Sequence, residues 1–200
     1  MNKYSQYSEE VFLLEYFQNR VGLVVEIGAA DGLNNSNSRR LIENGWSALL
    51  VEPNINNFNK IKSLYDLNEN IIIENCGCSN KSGLLEFYID LNDEYQQLST
   101  FNTQQVDKCK SMYNCEFIKK NVYVFKTSDI FDKHNINVID FLSIDTESYD
   151  KNVIEGIDFD KFNIEIICVE DDEAVSLLKE RGYTIIHKTV GNIILKYEKN

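Results

Sequence analysis

The chain of 200 residues lacks any long run of apolar residues, whereas a membrane-spanning helix needs about twenty of them. Its first ten residues, Met1 to Glu10, are polar and lack the apolar core of a secretory signal peptide. Both absences predict a soluble protein without a membrane span, and we expect it in the cytoplasm.

Histidine and cysteine are too few and too irregularly placed for a zinc site or a disulfide framework. The two histidines, His134 and His187, have no partner at zinc-motif spacing, and Cys76-Gly77-Cys78 is too short for a zinc knuckle. Five cysteines are an odd number, and a chain without a signal peptide is not expected to form disulfides. We therefore expect structural thiols.

Positive charge is also scarce, because 20 Lys and Arg stand against 32 Asp and Glu, for a net charge of −12. Binding to a phosphate backbone depends on cationic neutralisation, so nucleic acid and anionic membranes are poor partners for this chain. A small acceptor that is neutral, or bridged by a metal ion, is easier to accommodate. The composition does not determine the oligomeric state, and a homo-oligomer is one of the possibilities.

Apolar and amphipathic segments alternate along the chain, and 43% of its residues are hydrophobic, enough for the core of one domain over residues 1–200. The pattern predicts strands at 23–27, 47–51, 71–74, 83–89, 122–126, 139–144, 164–169, 184–187 and 192–197, and helices at 8–18, 36–44, 54–64, 128–134, 151–155 and 174–181. This order indicates an α/β fold with a mainly parallel sheet, helices on both faces and a C-terminal antiparallel hairpin.

The most informative segment is the turn after the first predicted strand, which reads Glu26-Ile27-Gly28-Ala29-Ala30-Asp31-Gly32. Glycine lets the backbone approach a ligand closely, but this G-x-x-x-G spacing differs from the G-x-G-x-x-G of dinucleotide folds. Glu26 and Asp31 would repel a pyrophosphate and suit a cationic ligand. S-adenosylmethionine (SAM) carries a sulfonium and an amino group but no phosphate, so the turn favours SAM.

The second predicted strand leads into Glu52-Pro53. A carboxylate at this point of a βαβ unit can accept hydrogen bonds from both hydroxyls of a ribose. Together with the turn, Glu52 predicts a nucleoside cofactor. The alternatives are a glycine-rich turn without a ligand and an NAD-type oxidoreductase; the missing G-x-G-x-x-G and the acids at the turn argue against the oxidoreductase.

Polar residues also follow the other predicted strands, at the edge where open α/β sheets bind ligands. They include Asn75, Asp145, Glu147, Glu170 and Asp171. Like charges at one edge cost energy without a cation, so we place the site there.

The stretch from residue 90 to residue 120 is polar and rich in Gln and Asn. A stretch of this length between two predicted strands is typical of a lid or of part of an acceptor site. The alternative is a flexible insertion without function.

Six motifs occur in order along nearly the whole chain. They are Ser5-Gln6 with Glu9-Glu10, Glu26 to Gly32 with Ser36-Asn37-Ser38, Gly45-Trp46 with Glu52-Pro53-Asn54, Asp140 to Glu147, Phe159 with Ile164 to Glu170, and Gly182-Tyr183. Together they resemble the FkbM family of class I SAM-dependent methyltransferases. The resemblance implies a Rossmann-like class I methyltransferase fold. It also implies methyl transfer to a hydroxyl of a sugar, such as a nucleotide sugar or a surface-glycan precursor.

The resemblance further implies a set of site residues. The cofactor-binding set is Gln6, Glu26, Gly28, Ala29, Asp31, Gly32, Ser36, Glu52, Pro53, Asn75, Cys76 and Asp145, and the catalytic set is Asp145, Glu147 and Asp150. Asn75 and Cys76 are expected beside the adenine, whereas Asp31 and Ser36 have the alternative role of capping the helix that follows. A sugar hydroxyl is a weak acid, so the reaction needs a base or a metal.

A divalent metal (Mg, Mn or Fe) at Asp145, Glu170 and Asp171 is one answer to that need. Three carboxylates on neighbouring strands suit a hard cation, and the arrangement resembles that of metal-dependent sugar O-methyltransferases. In the alternative, Asp145 accepts from the SAM amino group or acts as the base, and Asp171-Asp172 caps the next helix.

Two departures from the family pattern lie at the acceptor end. Ser148, Tyr149 and Asp150 stand where the family has Gly, Ser and Glu, and Asp171-Asp172 stands where it often has His-Asn. These departures leave the acceptor open, and a SAM-binding module without catalysis stays an alternative to an enzyme.

Overall fold

A computed structural model describes residues 3–18, 20–92 and 96–198 of the chain. The strands in these ranges are β1 (Leu23–Ile27), β2 (Ser47–Val51), β3 (Ile71–Glu74), β4 (Gly77–Ser79), β5 (Gly83–Asp90), β6 (Phe117–Lys126), β7 (Val138–Ile144), β8 (Asn163–Val169), β9 (Tyr183–Lys188) and β10 (Ile193–Tyr197). The helices are α1 (Glu9–Phe17), α2 (Arg39–Glu43), α3 (Ile55–Tyr65), α4 (Thr103–Tyr113), α5 (Thr127–Lys133), α6 (Asp150–Glu155) and α7 (Asp172–Glu180).

Seven strands form the main sheet in the order β3-β2-β1-β7-β8-β10-β9. Five strands of this sheet pair in parallel, and they are β3, β2, β1, β7 and β8. β10 pairs antiparallel with both β8 and β9. The predicted α/β fold, with a mainly parallel sheet and a C-terminal hairpin, is therefore confirmed. Because β2 and β7 flank β1 on opposite sides, a crevice opens at the carboxyl ends of these three strands, where such sheets bind ligands.

Helices cover both faces of the main sheet, because successive strand side chains point to opposite sides. One face packs against α1 and α3 through Leu13 and Ile61, and the other against α6 and α7 through Val153 and Leu178. All four of these side chains are fully buried. None of the helices in the described ranges is long and apolar enough to cross a membrane.

A second, smaller sheet has the order β4-β6-β5, and the sequence pattern did not predict it. β4 pairs in parallel with β6, and β5 pairs antiparallel with β6 from Gly83 to Asp90. β4 has only 3 residues, too few for a periodic signal. The first half of β6 carries exposed Lys119 and Lys120, which hide the strand from a hydrophobic pattern.

Two helices depart from the prediction for local reasons. α4 lies inside the polar stretch predicted as a lid, and Asn102 caps it by accepting from two backbone amides of its first turn. α2 begins at Arg39 rather than at 36. The three residues before Arg39 bind the carboxylate of Glu26 instead of forming a first helical turn.

Candidate active site

A cavity opens at the carboxyl ends of β1, β2 and β7, with a volume of about 990 Å³ when its solvent-open part is included. Of the residues predicted to bind the cofactor, those that line the cavity are Gln6, Glu26, Gly28, Ala29, Ser36, Glu52, Pro53, Cys76 and Asp145. Glu147 and Glu170, predicted for catalysis and for a metal, line it too.

Gly28 follows β1 directly and lies against the backbone of Asp145, the residue after β7. Its φ is +86°, and a Cβ atom at this position would stand 1.8 Å from the carbonyl oxygen of Asp145. The amide of Gly28 donates to the carbonyl of Val51 (2.9 Å), and the amide of Asp145 donates to that of Ile27 (3.0 Å). The turn is therefore tied to the ends of both neighbouring strands, in a space that only glycine fits.

Glu52 stands at the end of β2 and faces the turn. Its carboxylate accepts hydrogen bonds from the backbone amides of Ala30 (2.9 Å) and Asn54 (2.7 Å). Burial raises the pKa of Glu52 from 4.5 to about 8, against the effect of these two hydrogen bonds. Each carboxylate oxygen has two lone pairs, so both oxygens can accept one further hydrogen bond from a ligand.

Glu26 is buried beneath the cavity, and its side chain organises the segment that precedes α2. Its two oxygens accept from the hydroxyls of Ser36 (2.9 Å) and Ser38 (2.6 Å) and from the amides of Asn37 (2.8 Å) and Ser38 (3.3 Å). Burial raises its pKa in spite of these donors. Through Glu26, the segment is held against the cavity wall.

Three residues predicted for the cofactor do not line the cavity. The carboxylate of Asp31 accepts from the amides of Leu33 (3.0 Å) and Asn34 (2.8 Å), so it stabilises the turn after β1. It does not cap the next helix, because α2 begins only at Arg39. Gly32, with φ of +72°, packs against Ile61 of α3. The side chain of Asn75 donates to the carbonyl of Glu52 (2.8 Å) and so fixes the loop after β2.

Three carboxylates meet at the other end of the cavity, from Asp145 and Glu147 after β7 and Glu170 after β8. One oxygen atom of each lies within 4.8 Å of the other two. Burial and the neighbouring carboxylates raise the pKa of Asp145 well above its usual range. Burial likewise raises the pKa of Glu147 to about 7 and that of Glu170 to about 8. At neutral pH this group shares protons unless a cation compensates it.

Two acids predicted for this end have other contacts. Asp150, fully buried, accepts from the amide (3.0 Å) and hydroxyl (2.6 Å) of Thr146 and from the amide of Glu170 (3.0 Å), so it holds two strand ends together. Asp171 accepts from the amide of Ala174 (2.6 Å) and caps α7. Neither lines the cavity, and the carboxylate group contains Glu147 in the position predicted from the sequence for Asp171.

Residues 96–101, here called the cover segment, form part of the cavity lining, with the exception of Thr100. Gln97 donates to the carbonyl of Asn34 (3.2 Å) and accepts from the side chain of Asn35 (3.0 Å). Gln96 accepts from the side chain of Asn54 (2.6 Å). These amide contacts join the cover segment to the loops that follow β1 and β2.

The opposite end of the cover segment is tied to the loop after β7. The hydroxyl of Thr100 donates to the carbonyl of Glu147 (2.7 Å), and the side chain of Asn102 donates to that of Ser148 (2.8 Å). Glu147 and Ser148 have φ of 53° and 68°. Ser148 therefore adopts the left-handed conformation that explains a glycine at this position of the family pattern.

Some residues that line the cavity could not be predicted from the sequence. Phe87 and Phe101, whose rings lie 4.6 Å apart, form an apolar wall beside Gly77. Phe87 reads as an ordinary core position of a strand, and Phe101 stands alone in a polar stretch. Only the length and amide content of residues 90–120 pointed to a role for this part of the chain.

The N-terminal segment brings Gln6 to the cavity. The carboxylate of Glu10 accepts from the amides of Tyr4 and Ser5, both at 3.0 Å, and that of Glu9 accepts from Tyr7, also at 3.0 Å. Both acids are buried, and their hydrogen bonds fix the path of residues 4–7.

A family model described as the Methyltransferase FkbM domain matches residues 26–185. The chain belongs to the FkbM methyltransferase family. The match extends from the turn after β1 to the C-terminal hairpin and so includes both the glycine turn and the carboxylate group. The domain is therefore a SAM-dependent methyltransferase domain, and the residues that line its cavity are candidates for binding SAM.

Solved structures show the same fold. The methyltransferase FkbM from Methylobacillus flagellatus KT aligns over 89% of this chain and 44% of its own length, with 15% identity and a TM-score of 0.53. The chain thus spans less than half of that relative. Precorrin-6y C5,15-methyltransferase from Geobacter metallireducens GS-15 aligns over 99% of this chain and 92% of its own length, with 10% identity and a TM-score of 0.51.

A proposed tRNA (m1A22) methyltransferase from Streptococcus pneumoniae, Sp1610, aligns over 98% of this chain and 72% of its own length, with 11% identity and a TM-score of 0.51. A search of curated proteins found no significant match. At these identities the structures establish the Rossmann-like class I methyltransferase fold, and they leave the acceptor to be inferred from the site.

Gly28→Ala should destabilise the domain by at least about 2 kcal/mol, because the new Cβ meets the carbonyl of Asp145 and φ is unfavourable. It should also weaken SAM binding at least tenfold, since the turn must move. Urea unfolding and calorimetry measure the two effects. Gly83→Ala is the matched control, because its Cβ would meet nothing within 4 Å. Wild-type stability and affinity in Gly28→Ala would contradict the assignment.

Proposed function

We propose that this domain transfers the methyl group of SAM to a hydroxyl oxygen of a sugar. The observation that carries the proposal is one cavity that joins the glycine turn and Glu52 to a group of three carboxylates. When bound, SAM supplies a methyl group activated on a sulfonium. The chain's own residues must hold the two reactants together, exclude water and accept a proton.

The turn end of the cavity fits SAM by its chemistry. The cavity lining contains carboxylates but no phosphate-binding arrangement of glycines, which suits a cation without a phosphate. Glu52 is held by two backbone amides and can accept from both ribose hydroxyls. Cys76 and Pro53 would border the adenine, and Asp145 would accept from the amino group of the methionine part.

The acceptor end offers a base, and the cavity as a whole also carries uncharged hydrogen-bonding groups. Glu147 lines the cavity, and the side chain of Gln105 donates to its Oε2 (3.2 Å). We assign Glu147 as the group that accepts the proton of the hydroxyl. Gln97, Ser99 and Asn35 also line the cavity and can hydrogen-bond a polyol. RNA is a poor candidate, because its phosphates would meet a chain of net charge −12.

Glu52→Gln should weaken SAM binding at least tenfold, or ~1.4 kcal/mol. The amide would present an N–H group to the amide of Ala30 or Asn54 and would lose one acceptor. Because burial raises the pKa of Glu52 to about 8, wild-type affinity should rise from pH 7 to pH 9 as the carboxylate deprotonates. The variant should lack this contribution.

Calorimetry at several pH values measures both effects. Glu69→Gln is the control, since Glu69 is exposed in the turn before β3. A Glu52→Gln variant that binds SAM as wild type does would remove Glu52 from the cofactor site.

Glu147→Gln should lower kcat by about 10²–10⁴-fold, the usual contribution of a general base, and leave SAM affinity within about twofold. Steady-state assays with any accepted sugar, together with calorimetry, separate the two quantities. Glu173→Gln removes the same charge from the exposed surface of α7 and serves as the control. Retained turnover in Glu147→Gln would show that another group takes the proton.

A divalent metal is a second candidate for activating the hydroxyl at the acceptor end of the cavity. Asp145, Glu147 and Glu170 offer the oxygen ligands that hard cations prefer, with ligand atoms within 4.8 Å of one another. An ion there would lower the pKa of an acceptor hydroxyl. If a metal binds here, Glu147 is one of its ligands, and Asp171 is not, because its carboxylate caps α7.

If the reaction needs a metal, exhaustive chelation should abolish turnover, and added Mg²⁺ or Mn²⁺ should restore it. Glu147→Gln and Glu170→Gln should then also lower the metal content measured by elemental analysis. Activity that survives chelation, with no divalent ion recovered from the protein, would leave Glu147 as the base without a metal.

A further inference from the structure

The charge of the cavity wall has one sign. Five acids line the cavity, and they are Glu26, Glu52, Asp145, Glu147 and Glu170. Among the described residues, the lining contains no Lys, Arg or His. Residues 93–95, which precede the cover segment, read Asp-Glu-Tyr and add no basic residue type.

Three basic side chains near the cavity lie outside its lining. Lys108 is exposed on α4, and its charge lowers the pKa of Glu147 from there. Lys3 lines an adjoining open groove that shares Gln6 and Asn34 with the cavity. The guanidinium of Arg39 lies over the rings of Tyr4 (5.6 Å) and Tyr65 (5.2 Å).

The acids at the turn end already have partners, whereas those at the acceptor end face one another. Glu26 accepts four hydrogen bonds from residues 36–38, and Glu52 accepts two from backbone amides. Asp145, Glu147 and Glu170 remain as a cluster with ligand atoms within 4.8 Å. Once these carboxylates are ionised, a phosphate placed near them would meet like charge, and the described lining of the cavity has no cation to pair with it.

The remaining lining suits an uncharged sugar. Gln97, Ser99 and Asn35 offer donors and acceptors for hydroxyl groups, and the wall of Phe87 and Phe101 offers an apolar surface for a ring face. Even a divalent ion on the three carboxylates would leave this end without an excess of positive charge.

We propose that the acceptor is a neutral, unphosphorylated glycoside, and that nucleotide sugars and sugar phosphates are rejected. This inference rests on the proposed sugar O-methylation and narrows it to one of the two acceptor classes considered above. It also orders the reactions: a glycosyl transfer must come first and supply the glycoside, and methylation follows on the assembled sugar.

The test compares matched acceptors at saturating SAM and at pH 9, above the pKa values of Glu147 and Glu170. Methyl glycosides of common hexoses and deoxyhexoses are paired with the 1-phosphate and the nucleoside diphosphate derivative of the same sugar, and release of S-adenosylhomocysteine gives kcat/KM. For each accepted sugar, kcat/KM for the glycoside should be at least tenfold higher than kcat/KM for either phosphorylated form. Raising the salt from 0.05 M to 0.5 M should narrow this ratio at least threefold, because salt screens repulsion but not a steric clash.

Glu170→Gln should narrow the same ratio, whereas Glu173→Gln, which removes an exposed charge outside the cavity, should leave it unchanged. If Glu170→Gln fails to fold, the salt series still decides. A phosphorylated acceptor used as well as its glycoside, or a ratio insensitive to salt, overturns this inference and leaves sugar methylation standing. SAM binding without turnover of any sugar in the panel overturns the proposed function, and this inference with it.

Discussion

The backbone of Gly28 passes the carbonyl of Asp145 so closely that no side chain fits between them. This contact joins the ends of β1 and β7, while the amides of Gly28 and Ala29 join the same turn to the end of β2. The carboxyl ends of the parallel strands β1, β2 and β7 therefore lie side by side. Their terminal residues, Glu52 and Asp145 among them, face one cavity as a result.

Buried carboxylates serve two purposes in this domain. Glu26, Glu9 and Asp150 accept several hydrogen bonds each and shape the segments around the cavity. Asp145, Glu147 and Glu170 have few donors among the described residues, and burial together with mutual repulsion raises their pKa values. The difference in hydrogen-bond donors separates acids that hold the fold from acids available to a ligand.

The sequence predicted the main sheet because its strands are apolar on both faces, and it placed Glu52 and Asp145 because strand ends meet at one edge. It could not separate Asp150 and Asp171 from Glu147 and Glu170, since a carboxylate that caps a helix and one that faces a cavity share the same pattern. The small sheet was missed because β4 is short and β6 is mostly exposed. Phe101 was missed because its role depends on packing against distant Gly77.

The cover segment is fastened to the loops after β1 and β2 by the amides of Gln96, Gln97, Asn35 and Asn54. Amides do not ionise, so the strength of this fastening is independent of pH across the range in which the carboxylates of the cavity titrate. The hydrogen bonds that hold the cover segment and the protonation state of the cavity acids are thus separate variables. The domain can change the charge of its cavity without weakening the contacts of this segment.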